Sequence, residues 1–273
     1  MKQTITFLGA GSMAEAIIAG MTGNNVVPSQ QITATNHSNE ERLAELAGKY
    51  HIQITPNKQA AIEKSDVIIL AMKPKDIKTA TEEIRGWLSE EQVVISLLAG
   101  ISTSFIEKQL DTNNPVIRVM PNTSATIGLS ATTITGGRFA ASDHLMLVET
   151  LMQSVGTTAL IKEEEMDAFT ALAGSAPAFY YYMVEAMEQF AAAKGLDIEV
   201  AKPLMTQTIK GVAEMLETSP DSPKVLREKI TSPGGTTEAG LKALELHDFQ
   251  EAVIACLHQA TDKSAELRKN FEK

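Results

Sequence analysis

The chain has 273 residues, 44% of them hydrophobic, enough to bury the core of one large domain or of two smaller ones. Its 24 Lys and Arg against 34 Asp and Glu give a formal charge of −10, which argues against a nucleic-acid or anionic-membrane surface, because both want clustered cations. A single cysteine, Cys256, excludes an intrachain disulfide; set in the apolar run 253–257, it reads as packing rather than as a nucleophile.

The first residues lack the features of a signal peptide. The uncharged runs 16–39 and 119–137 hold too much Gly, Asn, Thr, Ser and Pro for membrane spans, so a soluble cytoplasmic protein is expected. Short apolar runs at 4–8, 32–36, 52–54, 67–71, 93–97 and 116–119 predict strands. Helical patterns at 13–21, 39–47, 59–64, 77–88 and 103–110 lie between them. Alternation of this kind predicts a doubly wound α/β fold with a parallel sheet covered on both faces. The unbroken run Val67-Ile68-Ile69-Leu70 is what a strand buried on both sides requires. Two more strands, 130–135 and 159–161, are expected around a helix near 143–154. Beyond residue 162 strand-like runs vanish, and helices are expected at 164–172, 178–193, 200–217, 223–230, 236–246 and 249–270. The chain therefore divides, on this reading, into an α/β domain at 1–162 and an all-helical domain at 163–273.

The first strand runs directly into Leu8-Gly9-Ala10-Gly11-Ser12-Met13-Ala14, a G-x-G-x-x-A turn. The first glycine permits a tight turn and the second lets the backbone approach a pyrophosphate. The third position needs only a small residue, so Ala14 suffices. The helix starting near Ser12 would turn its free N–H groups toward phosphate. In this strand–turn–helix context the motif reads as a Rossmann-like dinucleotide site. The end of the second strand carries Asn36-His37-Ser38 where an NAD-binding chain usually has a carboxylate. Nothing at that edge would repel a 2′-phosphate, so NADP (as NADPH) is favoured, with NADH open. The bland alternative is a polar helix cap, with Ser38 as N-cap. Ligands in such sheets bind at the carboxyl ends of strands, which adds Ala71, Met72, Lys73 and Pro74 after the fourth strand and Ala99 after the fifth.

In the helical half, Ser232-Pro233-Gly234-Gly235-Thr236-Thr237 leads into a helix, clustering hydroxyls and backbone N–H groups at a positive helix end that suits a carboxylate. The alternative is an ordinary helix connection with a threonine cap. Ala173-Gly174-Ser175-Ala176-Pro177 reads as a small-residue turn opening a helix that carries Phe179, Tyr180, Tyr181 and Tyr182. No H-E-x-x-H, Cys/His cluster or G-x-S-x-G motif points to a metal site or a hydrolase.

Over essentially its whole length the chain resembles the pyrroline-5-carboxylate reductase family. The resemblance is carried by Ile230-Thr231-Ser232-Pro233-Gly234-Gly235-Thr236-Thr237 with Ala239-Gly240-Leu241, by Phe7–Met13, by Ala71-Met72-Lys73-Pro74 and by Ile117-Arg118-Val119-Met120-Pro121-Asn122-Thr123. It implies reduction of 1-pyrroline-5-carboxylate to L-proline with NADPH or NADH, and a helical domain that forms a homodimer or a larger assembly of dimers, with the Pro-Gly-Gly loop supplied by the partner subunit. Thr237 becomes the candidate catalytic residue, donating to the ring nitrogen. N–H groups from Gly235 to Thr237, with Gly234 and the Ser232 hydroxyl, would hold the carboxylate. Met120, Asn122, Glu163 and Ser175 fall at substrate-side positions of the family, and Asn57 at its adenosine end.

The chain departs from the family pattern at Ala176, where a glycine is usual, and at Ser124, where a proline is usual. The first methyl would crowd the substrate floor or disturb a turn with φ > 0, and the second change would loosen 120–124. These departures keep open a non-catalytic or weakly active NAD(P)-binding regulatory paralogue. A β-hydroxyacid dehydrogenase-like enzyme is a further alternative, although the helix after Ala176 lacks the lysine such chemistry needs.

Overall fold

The computed structural model describes residues 1–272. The chain folds as two units, one comprising Met1–Ser175 with the chain from His258 onward, the other Ala176–Leu257.

Among the described residues of the first unit, eight strands make one sheet: β1 (Ile5–Leu8), β2 (Ile32–Thr35), β3 (Gln53–Ile54), β4 (Val67–Leu70), β5 (Val93–Ser96), β6 (Val116–Met120), β7 (Ser130–Gly136) and β8 (Gly156–Leu160). Their order is β3-β2-β1-β4-β5-β6-β7-β8. The first six are parallel, in the doubly wound order whose direction reverses between β1 and β4. The sheet is not wholly parallel, as the sequence had suggested: β7 runs antiparallel to β6, and β8 parallel to β7. Residues 121–129 form only a 3₁₀ turn, Thr123–Ile127, and are too short for the dozen or so residues a parallel crossover needs, so the chain reverses.

Helices α1 (Ser12–Gly23), α2 (Glu40–Tyr50), α3 (Lys58–Ile62), α4 (Ile77–Ile84), α5 (Thr103–Leu110) and α6 (Ser142–Met152) connect the strands. Side chains of alternate strand residues enter two separate cores, Ile5, Phe7, Ile69 and Ile95 in one, Leu8, Ile68, Leu70 and Val94 in the other. Burial on both faces is why these strands read as unbroken apolar runs.

The helix expected at 164–172 is replaced by a 3₁₀ turn (Glu163–Glu165), a short α7 (Met166–Phe169) and a π-helical stretch, Thr170–Ser175, that passes straight into α8 (Ala176–Ala193). No small-residue turn opens α8. The small side chains of Ala173, Gly174 and Ser175 offer little resistance to the wider π spacing. Because the chain stays helical here, Ala176 does not take a positive φ, and its extra methyl meets no strained turn.

The second unit holds α8, α9 (Ile198–Thr218), α10 (Pro223–Lys229), α11 (Thr236–Leu246) and the start of α12 (Phe249–Glu272). Tyr180, Tyr181, Phe190, Leu204 and Val212 are all exposed. Cys256 is half-buried and free. The two compact units meet at Ser175/Ala176, and the end of α12 belongs to the first unit. That tail is fixed there by Asp167, which accepts from Ser264 Oγ at 2.7 Å and from Arg268 Nη2 at 3.0 Å, and by the Ser102 hydroxyl, which donates to Glu272 at 2.7 Å.

Candidate functional site

At the end of β1 the backbone turns at Gly9 with φ +122°, and the Gly9 N–H donates to the Thr35 carbonyl at 2.8 Å. A Cβ on Gly9 would stand 2.5 Å from the carbonyl carbon and oxygen of Ala71, so the turn after β1 and the segment after β4 touch across the switch point. Only glycine permits both the dihedral and the approach. Gly11 caps α1 with no side-chain hydrogen bond, and a Cβ there would meet nothing within 4 Å. Ala14, 1% exposed, closes the packing of helix on strand. The first-turn N–H groups of α1, Ser12 and Met13 among them, thus lie at a positive helix end beside open space, a cradle that fits a dinucleotide diphosphate.

Beyond β2 lies an open cavity of about 410 Å³, whose lining includes Asn36, His37, Ser38, Asn57, Lys58 and Trp87. Its size and polarity fit the adenosine end of a dinucleotide. The polar edge is partly committed: Asn36 donates to the Asn39 carbonyl at 2.7 Å and accepts from the Asn39 N–H at 3.0 Å. Asn39, not Ser38, caps α2, accepting from the Arg42 N–H at 2.9 Å, which leaves the Ser38 hydroxyl available. Asn57 caps α3 through Ala60 N–H at 3.0 Å. Carboxylates do reach this cavity, although none stands at the strand end: Glu40 and Glu83 line it, and Glu83 holds the Lys58 ammonium at 2.7 and 3.1 Å. Sequence reasoning missed Lys58, Glu83 and Trp87 because separate segments, the start of α3 and the end of α4 with the turn after it, bring them here. Met72 packs against the core, Lys73 is exposed at the mouth beside Pro74, and Ala99 is exposed after β5.

Behind the glycine turn, Glu15 of α1 accepts from Arg42, from Lys49 at 2.9 Å and from Tyr50 at 2.8 Å. The Arg42 hydrogen bond foremost, then that from Lys49, holds the Glu15 carboxyl down from 4.5 to about 2. The folded value lies below the unfolded one, so this stabilisation is complete above about pH 4.5 and is lost as the pH falls toward 2. Urea midpoints should therefore fall more steeply between about pH 5 and about pH 2.5 in the native chain than in Glu15→Gln. Parallel curves would mean the cluster contributes nothing.

The substrate-side candidates separate by unit. In the first unit, Asn122 is buried with both side-chain ends engaged, accepting from Ser124 N–H at 3.0 Å and donating to the Ala173 carbonyl at 3.1 Å. Ser124 supplies an N–H that a proline would lack, so residues 120–124 are pinned rather than loosened. A Cβ on Gly174 would meet Met120 Cγ at 3.7 Å, which brings Met120, Asn122 and the stretch ending in Ser175 together. Glu163 accepts from Thr103 at 3.0 Å and from Arg118 Nη1 at 2.7 Å. Arg118 lies on β6 with its side chain fully buried, and its Nε and Nη2 have no acceptor.

In the second unit, Gly234 has φ +73° and turns the chain into α11. Two of the N–H groups expected to hold a carboxylate are already committed. Gly235 donates to the Ser232 carbonyl at 3.0 Å, closing the turn, and Gly234 donates to the Glu238 carboxylate at 2.8 Å. That bond, followed by one from Lys242, lowers the Glu238 pKa. The N–H groups of Thr236 and Thr237 remain, as first-turn positions with no intrahelical acceptor. Ser232 is exposed and Thr237 half-buried. Among the described residues no group of three or more His, Cys, Asp or Glu could hold a metal ion, and no helix is long and apolar enough to cross a membrane.

A Rossmann sheet with an open glycine cradle, followed by a helical unit, defines a dinucleotide-binding oxidoreductase fold. Residues 4–100 match the family model described as NADP oxidoreductase coenzyme F420-dependent, and residues 163–267 match that described as pyrroline-5-carboxylate reductase dimerisation. Pyrroline-5-carboxylate reductase 1 of Bacillus spizizenii is 44% identical over 272 residues, covering 100% of this chain and 92% of that relative. Among solved structures, a pyrroline-5-carboxylate reductase from Coxiella burnetii superposes with TM-score 0.91 at 34% identity, covering 98% of this chain and 99% of that one. The Plasmodium falciparum pyrroline carboxylate reductase, with NADP bound, gives TM-score 0.89 at 27% identity, covering 98% of each chain. The chain belongs to the pyrroline-5-carboxylate reductase family.

Proposed function

We propose that the chain reduces 1-pyrroline-5-carboxylate to L-proline at the expense of NADPH, as a homodimer or an assembly of dimers, in the cytoplasm. The observation that carries this reading is the cradle at Gly9–Met13, open at Gly11 and closed against Ala71 at Gly9, in a chain of this family. The reduced nicotinamide supplies a hydride when bound. The protein's own residues bind, orient and hydrogen-bond the reacting nitrogen. Leu8 to Met13 and Ala71 to Pro74 hold the coenzyme's diphosphate and nicotinamide arm, and Asn36 to Ser38 with Asn57 hold its adenosine end. NADPH is preferred on this reading because Lys58 and the free hydroxyl of Ser38 line the cavity where a 2′-phosphate would lie.

The substrate's carboxylate is held by the Thr236 and Thr237 N–H groups at the start of α11, aided by the Ser232 hydroxyl. As the C=N carbon gains hydride, the ring nitrogen keeps the proton that makes it an amine. The Thr237 hydroxyl, which has no protein partner among the described residues, donates to that nitrogen. Mixing the protein with 1-pyrroline-5-carboxylate and NADPH should consume the reduced-nicotinamide absorbance, and no turnover with either coenzyme would end this reading. Thr237→Val keeps the shape but removes the hydroxyl, and should lower kcat roughly 100-fold at native thermal stability while Thr237→Ser stays within a few-fold. Equal activity in Thr237→Val would remove Thr237 from the chemistry.

A further inference from the structure

We infer that Arg42 is a positioning residue for the cofactor-binding turn, acting through the carbonyl of Ala10. This deepens the proposed function and rests on its reading of Gly9–Met13 as the diphosphate cradle.

Arg42 is in the first turn of α2, the helix after β2, yet its side chain reaches back to the turn after β1. Nε donates to the Ala10 carbonyl at 3.0 Å, Nη1 to Glu45 at 2.6 Å, and Nη2 to Glu15 of α1. The side chain is 21% exposed, and its flat fork fixes the three directions together.

Ala10 is flanked by Gly9 and Gly11, so the peptide plane between Ala10 and Gly11 has unusually little steric restraint of its own. In a trans peptide the carbonyl and the following N–H point opposite ways. Holding the Ala10 carbonyl toward α2 therefore turns the Gly11 N–H away from α2. That N–H has no acceptor among the described residues, and open space surrounds the Gly11 α-carbon on its side-chain side. Arg42 thus sets the direction of a donor the diphosphate would meet, before any ligand arrives. Its charge does a second thing. Glu15 lies in the first turn of α1, where a carboxylate would repel an incoming diphosphate, and Arg42 with Lys49 offsets it. Nε and both terminal nitrogens are engaged within the protein, which separates Arg42 from a residue that reads the 2′-phosphate directly.

The test is calorimetric titration of NADPH and of NADH into the full-length chain and into Arg42→Met, Arg42→Lys and Glu45→Ala, alongside steady-state kinetics. Arg42→Met should raise the Kd of both coenzymes by the same factor, about tenfold, the size expected for one charged hydrogen bond, and should raise coenzyme KM more than it lowers kcat. Arg42→Lys keeps the charge beside Glu15 but not the Nε bond in its fork, and should recover only part of the affinity. Glu45→Ala removes an exposed partner of Arg42 without touching Ala10 and should leave both Kd values unchanged. A loss confined to NADPH would make Arg42 a phosphate ligand and overturn the inference. So would full recovery in Arg42→Lys, or an unchanged Kd in Arg42→Met. If the native chain binds neither coenzyme, the cradle reading itself falls and takes the inference with it.

Discussion

Gly9→Ala should abolish useful coenzyme binding and lower the stability of the first unit, whereas Gly11→Ala should weaken binding alone. The two glycines share a motif but answer different constraints. At Gly9 the backbone sits at φ +122°, which an L side chain rarely adopts, and the new Cβ would lie 2.5 Å from Ala71 backbone and 2.8 Å from Met72 N. Strain of that kind costs about 1–3 kcal/mol, and relieving the contact must push apart the ends of β1 and β4. Those ends are the walls of the crevice, so the displacement disturbs the Gly9 bond to Thr35 and the cradle together. NADPH affinity should fall at least about 100-fold, equivalent to roughly 2.7 kcal/mol, with a lower melting temperature. Gly11 has φ −76° and nothing within 4 Å of its Cβ position, so alanine costs the free protein little. The methyl instead occupies space the diphosphate needs. Calorimetry and thermal melts on both variants check this, and native affinity in Gly9→Ala would remove the close approach from the mechanism.

The parts of this fold that were legible in the sequence are those whose burial leaves a periodic trace. Strands β1, β4 and β5 and the cradle at Gly9–Ala14 follow from apolar runs and glycine chemistry alone. Strand direction leaves no such trace: β7 has the composition of any strand, and only the short 121–129 connection shows that it must reverse. Side-chain commitments are equally hidden. Asn36 and Asn122 have the residue types of ligand contacts, and their protein partners are what the sequence hides: Asn36 bonds Asn39, and Asn122 bonds Ser124 and the Ala173 carbonyl in the π-helical stretch. The Gly234 N–H, which looked free for a carboxylate, is taken by Glu238 four residues on, a helix-start pairing that the spacing did contain. The partnership of Arg42 with Glu15 and Ala10 joins elements whose proximity is set by the parallel pairing of β1 with β2, and no local pattern encodes it. One warning was visible: a lone arginine inside Val116-Ile117-Arg118-Val119 is a charge in a strand buried on both sides, and such a charge needs a partner from elsewhere.

That partner is Glu163, and its removal should cost more stability than any other single truncation on the substrate side. Arg118 is 0% exposed, with Nη1 on Glu163 at 2.7 Å and Nε and Nη2 without acceptors. Glu163→Ala therefore leaves a fully buried cation without its carboxylate. Breaking a buried pair in this way costs about 3–5 kcal/mol. Glu163 is itself 29% exposed, so water can follow into the gap, and the lower end, about 3 kcal/mol, is expected. At roughly 2–4 °C per kcal/mol for a unit of this size, the melting temperature should drop by about 6–12 °C. Glu163→Gln can still accept from Nη1 and donate to the Thr103 hydroxyl, so it should lose less than Glu163→Ala, the remainder being the uncompensated charge. The order Ala below Gln below native separates two roles for this carboxylate. A group that served only the substrate's nitrogen would raise the KM for 1-pyrroline-5-carboxylate and leave the melting temperature where it was. A group that anchors Arg118 moves the melting temperature first, and in Glu163→Gln should change stability while KM shifts only as far as a carboxylate-to-amide exchange at the substrate allows. Native melting curves for Glu163→Ala would refute the anchoring role. Because Glu163 begins the segment that leads through α7 and the π stretch to Ser175, that anchoring would also fix where the substrate-side residues start.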